Sequence, residues 1–67
     1  MSIIELKSDI NELEQKLISL NICTDNFSDR SAKIFEDLDS GEISEDMYDT
    51  VYDDMSLLFE LKKRHMA

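Results

Sequence analysis

The residues best equipped for chemistry in this chain are carboxylates. Glu42, Glu45, Asp46, Asp49 and Asp53 are linked by three- and four-residue spacings (42 to 45 and 46, 45 and 46 to 49, 49 to 53), so on a helix they share one face. Like charges so placed repel one another, and three uses would offset that cost. Rows of carboxylates can imitate a nucleic-acid backbone in the groove of a DNA- or RNA-binding protein, they can grip a basic protein client, or they can keep a small apolar protein in solution. Asp29, Glu36, Asp37, Asp39 and Asp54 extend the same negative surface.

Metal binding is weighed at the turn Asp37 to Ser44, which contains the only glycine, Gly41. Aligning Gly41 with the glycine of a calcium-binding EF-hand loop puts Glu36, Leu38 and Ser40 at the first three side-chain ligand positions and Met47 where the bidentate glutamate is needed. Leucine and methionine supply no hard oxygen, so a plain helix-to-helix turn is expected there, with no metal and no other cofactor. Cys23 and His65 are the single cysteine and histidine and lie far apart in sequence. A cysteine nucleophile needs a base and an oxyanion pocket, which a chain this short is poorly equipped to hold. No catalytic residue is expected, and the chain is read as not an enzyme. Lys62-Lys63-Arg64 has the chemistry to touch phosphate, but at a helix end it complements the helix dipole.

Net charge is −9, and residues 25–60 carry twelve acids against two bases while residues 61–67 carry three bases and no acid. Such a field repels nucleic acid and anionic lipid and attracts basic proteins or peptide segments. Direct nucleic-acid binding is therefore not expected. No unbroken apolar run exceeds three residues, so no membrane insertion is expected. Nothing at the N-terminus reads as a signal peptide, and a lone cysteine forms no internal disulfide; a reducing cytoplasm is the expected compartment. Sixty-seven residues make one domain, near the lower limit at which a single core suffices without a disulfide, a metal or a partner subunit.

The elements that must position these groups are helices. Ile3, Leu6, Ile10, Leu13, Leu17 and Leu20 recur at alternating three- and four-residue spacings, a heptad seam whose apolar stripe needs another helix to bury it. Ser2 and Glu5 have the spacing of a capping box. Six weak helix formers, Asn21 to Asn26, predict a break, after which Thr24 or Asp25 caps a helix with Phe27, Ala32, Ile34, Phe35 and Leu38 on its apolar face. Gly41 marks the next turn and Ser44 the next cap, with Ile43 and Tyr48 spaced as a hydrophobic staple. Tyr48, Val51, Tyr52, Met55, Leu58, Phe59 and Met66 then form one wide face, and Tyr48, Tyr52, Met55, Phe59 and Met66 make it rich in aromatic and methionine side chains.

The fold expected is all-α: helices at about 3–22, 26–39 and 45–64, antiparallel in a small three-helix bundle. If residues 21–26 do not break the first helix, the alternative is a helical hairpin that a second chain would complete. Ile4, Ile18, Ile22, Leu57 and Leu61 lie off the main stripes, and surplus apolar surface of that kind marks an interaction site.

The function expected is a protein–protein interaction module, acting as a small chaperone, a co-chaperone such as those of bacterial secretion systems, an adaptor or an assembly partner. Its partner would be an amphipathic helix or basic surface of another protein. The apolar contacts are assigned to Ile3, Leu6, Ile10, Leu13, Leu17, Leu20, Tyr48, Tyr52, Met55 and Phe59, and the acidic ones to Glu42, Glu45, Asp46, Asp49 and Asp53. The alternatives are a nucleic-acid-mimicking inhibitor of a DNA- or RNA-binding protein, of phage or plasmid type, and a homo-oligomer in which a helical hairpin pairs with its own copy.

Overall fold

The computed structural model describes residues 2–66, and among these the chain forms three α-helices: α1 Ile3–Ser19, α2 Asp25–Ser40 and α3 Tyr48–Met66, the last preceded by a single 3-10 turn at Glu45–Met47. Three contacts fix their directions. Lys7 near the start of α1 pairs with Asp39 at the end of α2 (Nζ to Oδ1 2.6 Å), and Glu14 further along α1 accepts a hydrogen bond from the Ser28 hydroxyl in the first turn of α2. Lys62, late in α3, donates to the Cys23 carbonyl in the α1–α2 connection at 3.0 Å. Sequential helices are therefore antiparallel, and the bundle measures 36 × 17 × 15 Å. The helical hairpin is not formed.

Each boundary has a local cause. Ser2 sits in extended conformation and its hydroxyl accepts the Glu5 amide at 3.1 Å, which satisfies one of the otherwise free donors of the first turn. The expected helix to residue 22 ends instead at Ser19, because Asn21 takes a left-handed conformation with φ 60°. The Asn21 amide then bonds the Ile18 carbonyl and the Ile22 amide bonds the Leu17 carbonyl, each at 3.0 Å, which is a Schellman closure. The same geometry ends α2 at Gly41, φ 82°, where Gly41 and Glu42 donate to Leu38 and Asp37. Thr24 stands at the cap of α2 without a side-chain bond, its carbonyl accepting the Ser28 amide at 2.7 Å. Ser44 likewise makes no side-chain cap bond, and the chain tightens through 3-10 geometry before α3 begins at Tyr48.

The core is assembled from the heptad seam and its two facing stripes. Leu6, Ile10, Leu13 and Leu17 of α1, Phe27 and Leu38 of α2, and Val51, Met55 and Phe59 of α3 are all buried; Ile3, Ile34, Phe35, Ile43, Tyr48, Tyr52 and Leu58 pack around them. Each fully buried side chain of this kind stabilises the fold by roughly 1.5–3 kcal/mol. Three assignments change. Leu20 leaves the seam and is 53% exposed, because α1 has already ended. Ile22, expected to be surplus, is buried: the left-handed Asn21 turns the chain so that Ile22 lies against Leu17 at the Schellman closure. On α2 the buried small residue is Ser31 and not Ala32, since Phe27, Ser31 and Leu38 hold one helical phase.

Candidate functional site

The residues assigned to partner binding fall into three groups. Leu6, Ile10, Leu13, Leu17, Met55 and Phe59 are inside the core, where they hold the three helices together. Ile3, Tyr48 and Tyr52 are half-buried at its edge, and Leu20 is exposed. The heptad seam from Leu6 to Leu17 is thus buried within the chain, while its two ends, Ile3 and Leu20, are half-buried and exposed. The side chain of Met66 lies outside the described residues.

Glu42, Glu45, Asp46, Asp49 and Asp53 are all exposed. They do not lie on one continuous helix. Glu42 is in the turn after α2, Glu45 and Asp46 are on the 3-10 turn, and Asp49 and Asp53 stand one helical turn apart on α3. Because α2 ends and α3 begins at the same end of the bundle, these acids gather there with Asp37 and Asp39. The cations Lys63 and Arg64, with His65, lie in the last turn of α3 at the opposite end, where the helix dipole favours positive charge. The protein is therefore electrically asymmetric along its long axis. Lys7 is held at the acidic end between Asp39 and the Phe35 ring, whose centroid is 5.8 Å from Nζ.

Besides a shallow hollow of about 380 Å³ on the outer side of α3 against Asp53, Ser56, Leu57 and Glu60, two hollows lie along this helix. One, of about 580 Å³ between α2 and α3, has Ile34, Val51 and Leu58 at its floor and Asp29, Arg30, Lys33, Asp37 and Asp54 around it. The other, of about 370 Å³, lies at the cationic end and is lined by Ile22, Cys23, Asn26, Leu58, Leu61, Lys62 and His65. The fold thus brings Cys23 and His65, forty-two positions apart, to one hollow. Among the described residues no hydrogen bond joins the two side chains.

What remains outward is apolar surface the core does not use. Ile4 is 77% exposed, Leu57 63%, Leu20 53%, Leu61 51%, Ile18 50% and Met47 47%. Four of these, Ile4, Ile18, Leu57 and Leu61, are the residues that the heptad phase leaves off its stripes. They sit in ordered patterns. On α1, Ile4, Ser8, Asn11, Gln15 and Ile18 recur at spacings of four, three, four and three residues, all exposed and all uncharged. This stripe adjoins the edge from which Lys7 and Glu14 reach α2. On α3, Leu57 and Leu61 lie on the side away from Val51, Met55 and Phe59. The α1 stripe was legible as a second four-three repeat, obscured because only its two ends are apolar. Among the described residues no helix is long and apolar enough to cross a membrane. Comparison with protein-family models, with curated proteins and with solved structures finds no match to this chain.

Proposed function

We propose that this chain is a non-enzymatic interaction protein that binds an amphipathic helix of another protein, as a small chaperone, co-chaperone, adaptor or assembly partner does. The observation that carries this reading is the exposure of Ile4 and Ile18 at the two ends of an uncharged, helix-spaced stripe on α1, in a chain with 34% charged residues. Single exposed aliphatic side chains are ordinary on a protein surface, but a stripe that excludes charge over four turns is not what solubility alone would select. A partner helix with small or apolar residues at the same spacing would lie along it. Basic residues flanking that helix would be drawn by the net charge of −9, which raises the rate of encounter more than the final affinity.

The test is paired substitution at the surface. Ile4→Asp with Ile18→Asp should leave helical content and thermal stability unchanged, since both side chains are half or more exposed. The same variant should lose capture of the partner from a host lysate. Retained capture by the double variant would remove the basis for the reading.

A second reading is favoured by the exposure of all five acids from Glu42 to Asp53. An inhibitor that imitates nucleic acid would use them as its active surface. Reversing charge at Asp46, Asp49 and Asp53 would then abolish binding to a basic partner, and DNA or RNA would compete for that partner.

A further inference from the structure

The outward face of α3 is its own complement. Thr50, Asp54, Leu57, Leu61 and Arg64 stand at spacings of four, three, four and three residues, and all five are exposed. This is the spacing of a coiled-coil seam, but it is filled in an ordered way: an acid toward the N-terminal end, a cation at the C-terminal end and two leucines between them. Laid antiparallel about a two-fold axis level with Phe59, two such stripes put Leu57 against the second copy's Leu61 and Asp54 against the second copy's Arg64. Each contact occurs twice, as a two-fold interface requires. Among the described residues neither Asp54 nor Arg64 is in an ion pair within its own chain.

We propose that this stripe is the contact face of an antiparallel homodimer, its occupant a second copy of this chain. The proposal rests on the reading of the chain as a binding module. It assigns the α3 face to self-association and leaves the α1 stripe to a different protein. Direction follows from charge. A parallel pair would set Asp54 against Asp54 and Arg64 against Arg64 and bring the two acidic ends together, whereas the antiparallel pair holds the acidic ends apart. The net charge of −9 on each copy opposes association, but at physiological salt repulsion is screened beyond about 8 Å, while contact pairs are screened much less. With two leucine contacts and two ion pairs the interface is small, and dissociation on the order of 10 μM is expected.

Sedimentation equilibrium of the full chain at about 0.15 M salt, from about 1 μM to about 1 mM, tests this directly. The wild-type chain should pass from monomer to dimer across that range. Leu57→Asp should remain monomeric with an unchanged helical circular dichroism spectrum. Asp54→Arg should weaken the dimer about tenfold or more, by setting arginine against arginine, and adding Arg64→Asp to the same chain should restore it to within about threefold. Within one chain the two positions are about 15 Å apart along the helix, so rescue reports a contact between chains. A wild-type chain monomeric at the highest concentration, a dimer indifferent to Leu57→Asp, or a double variant that is not rescued would each overturn the proposal. None of these outcomes bears on partner capture through Ile4 and Ile18, which is measured separately.

Discussion

At the scale of single residues, three positions have an energetic role that substitution can measure. Ser31 is 6% exposed, and its hydroxyl is the one buried side-chain polar atom among the described residues without a hydrogen-bond partner. An unpaired buried hydroxyl costs about 1–3 kcal/mol, and alanine is the better helix former. Ser31→Ala should therefore stabilise the protein by about 1 kcal/mol, which for a domain this small raises the thermal midpoint by roughly 4–8 °C. A lower midpoint in a thermal melt would mean that the hydroxyl is bonded after all. Gly41 has open space around it but a φ of +82°, so Gly41→Ala meets no clash and still has to hold a left-handed backbone. A loss of about 1 kcal/mol is expected by chemical denaturation. Asn21 occupies the equivalent place after α1 at φ 60°, and Asn21→Gly should be neutral or slightly stabilising. Gly41 could be read as a turn from its type alone. Asn21 could not be assigned a left-handed φ, because asparagine adopts several turn conformations, and the positions of Leu20 and Ile22 on either side of it were exchanged as a result.

At the scale of elements, the seam of α1 decides the fold. Its three-four spacing was legible because periodicity belongs to one chain. What buries the seam was not, because a stripe facing α2 and α3 has the same residues as one facing another protein. The structure assigns it to the interior, and adjacent residues test that assignment. Leu17 is fully buried and Ile18 is 50% exposed. Leu17→Ala should cost about 2–5 kcal/mol. A core of this size supplies only about 3–5 kcal/mol, so the variant should be largely unfolded by circular dichroism at room temperature. Ile18→Ala should change stability by less than about 0.5 kcal/mol. Equal effects at the two positions would mean that the helix presents a different face. On α2 the phase set by Phe27, Ile34, Phe35 and Leu38 was legible and only Ala32 was misplaced: it looks more apolar than Ser31, yet the helical period places the serine inside.

At the scale of the whole molecule, the acids gather at one end of a 36 Å bundle, and the cations of the last α3 turn lie at the other. Residue counts foretold the acidic surface but not this axial separation, which depends on the antiparallel order of the helices. Raising salt should slow association with a basic partner while changing its dissociation rate little, a distinction that stopped-flow or surface-binding kinetics can make. The central claim is that the chain meets its partner through the outward faces of its helices and not through the buried seam. Its most direct test is capture from the native host after nuclease treatment, comparing the wild-type chain with Ile4→Asp/Ile18→Asp at low and moderately high salt. A stoichiometric protein that stays bound to the wild type at the higher salt and is lost from the equally folded variant is the expected result. The same protein retained by the variant, or a bound protein displaced by DNA from both, would contradict the claim.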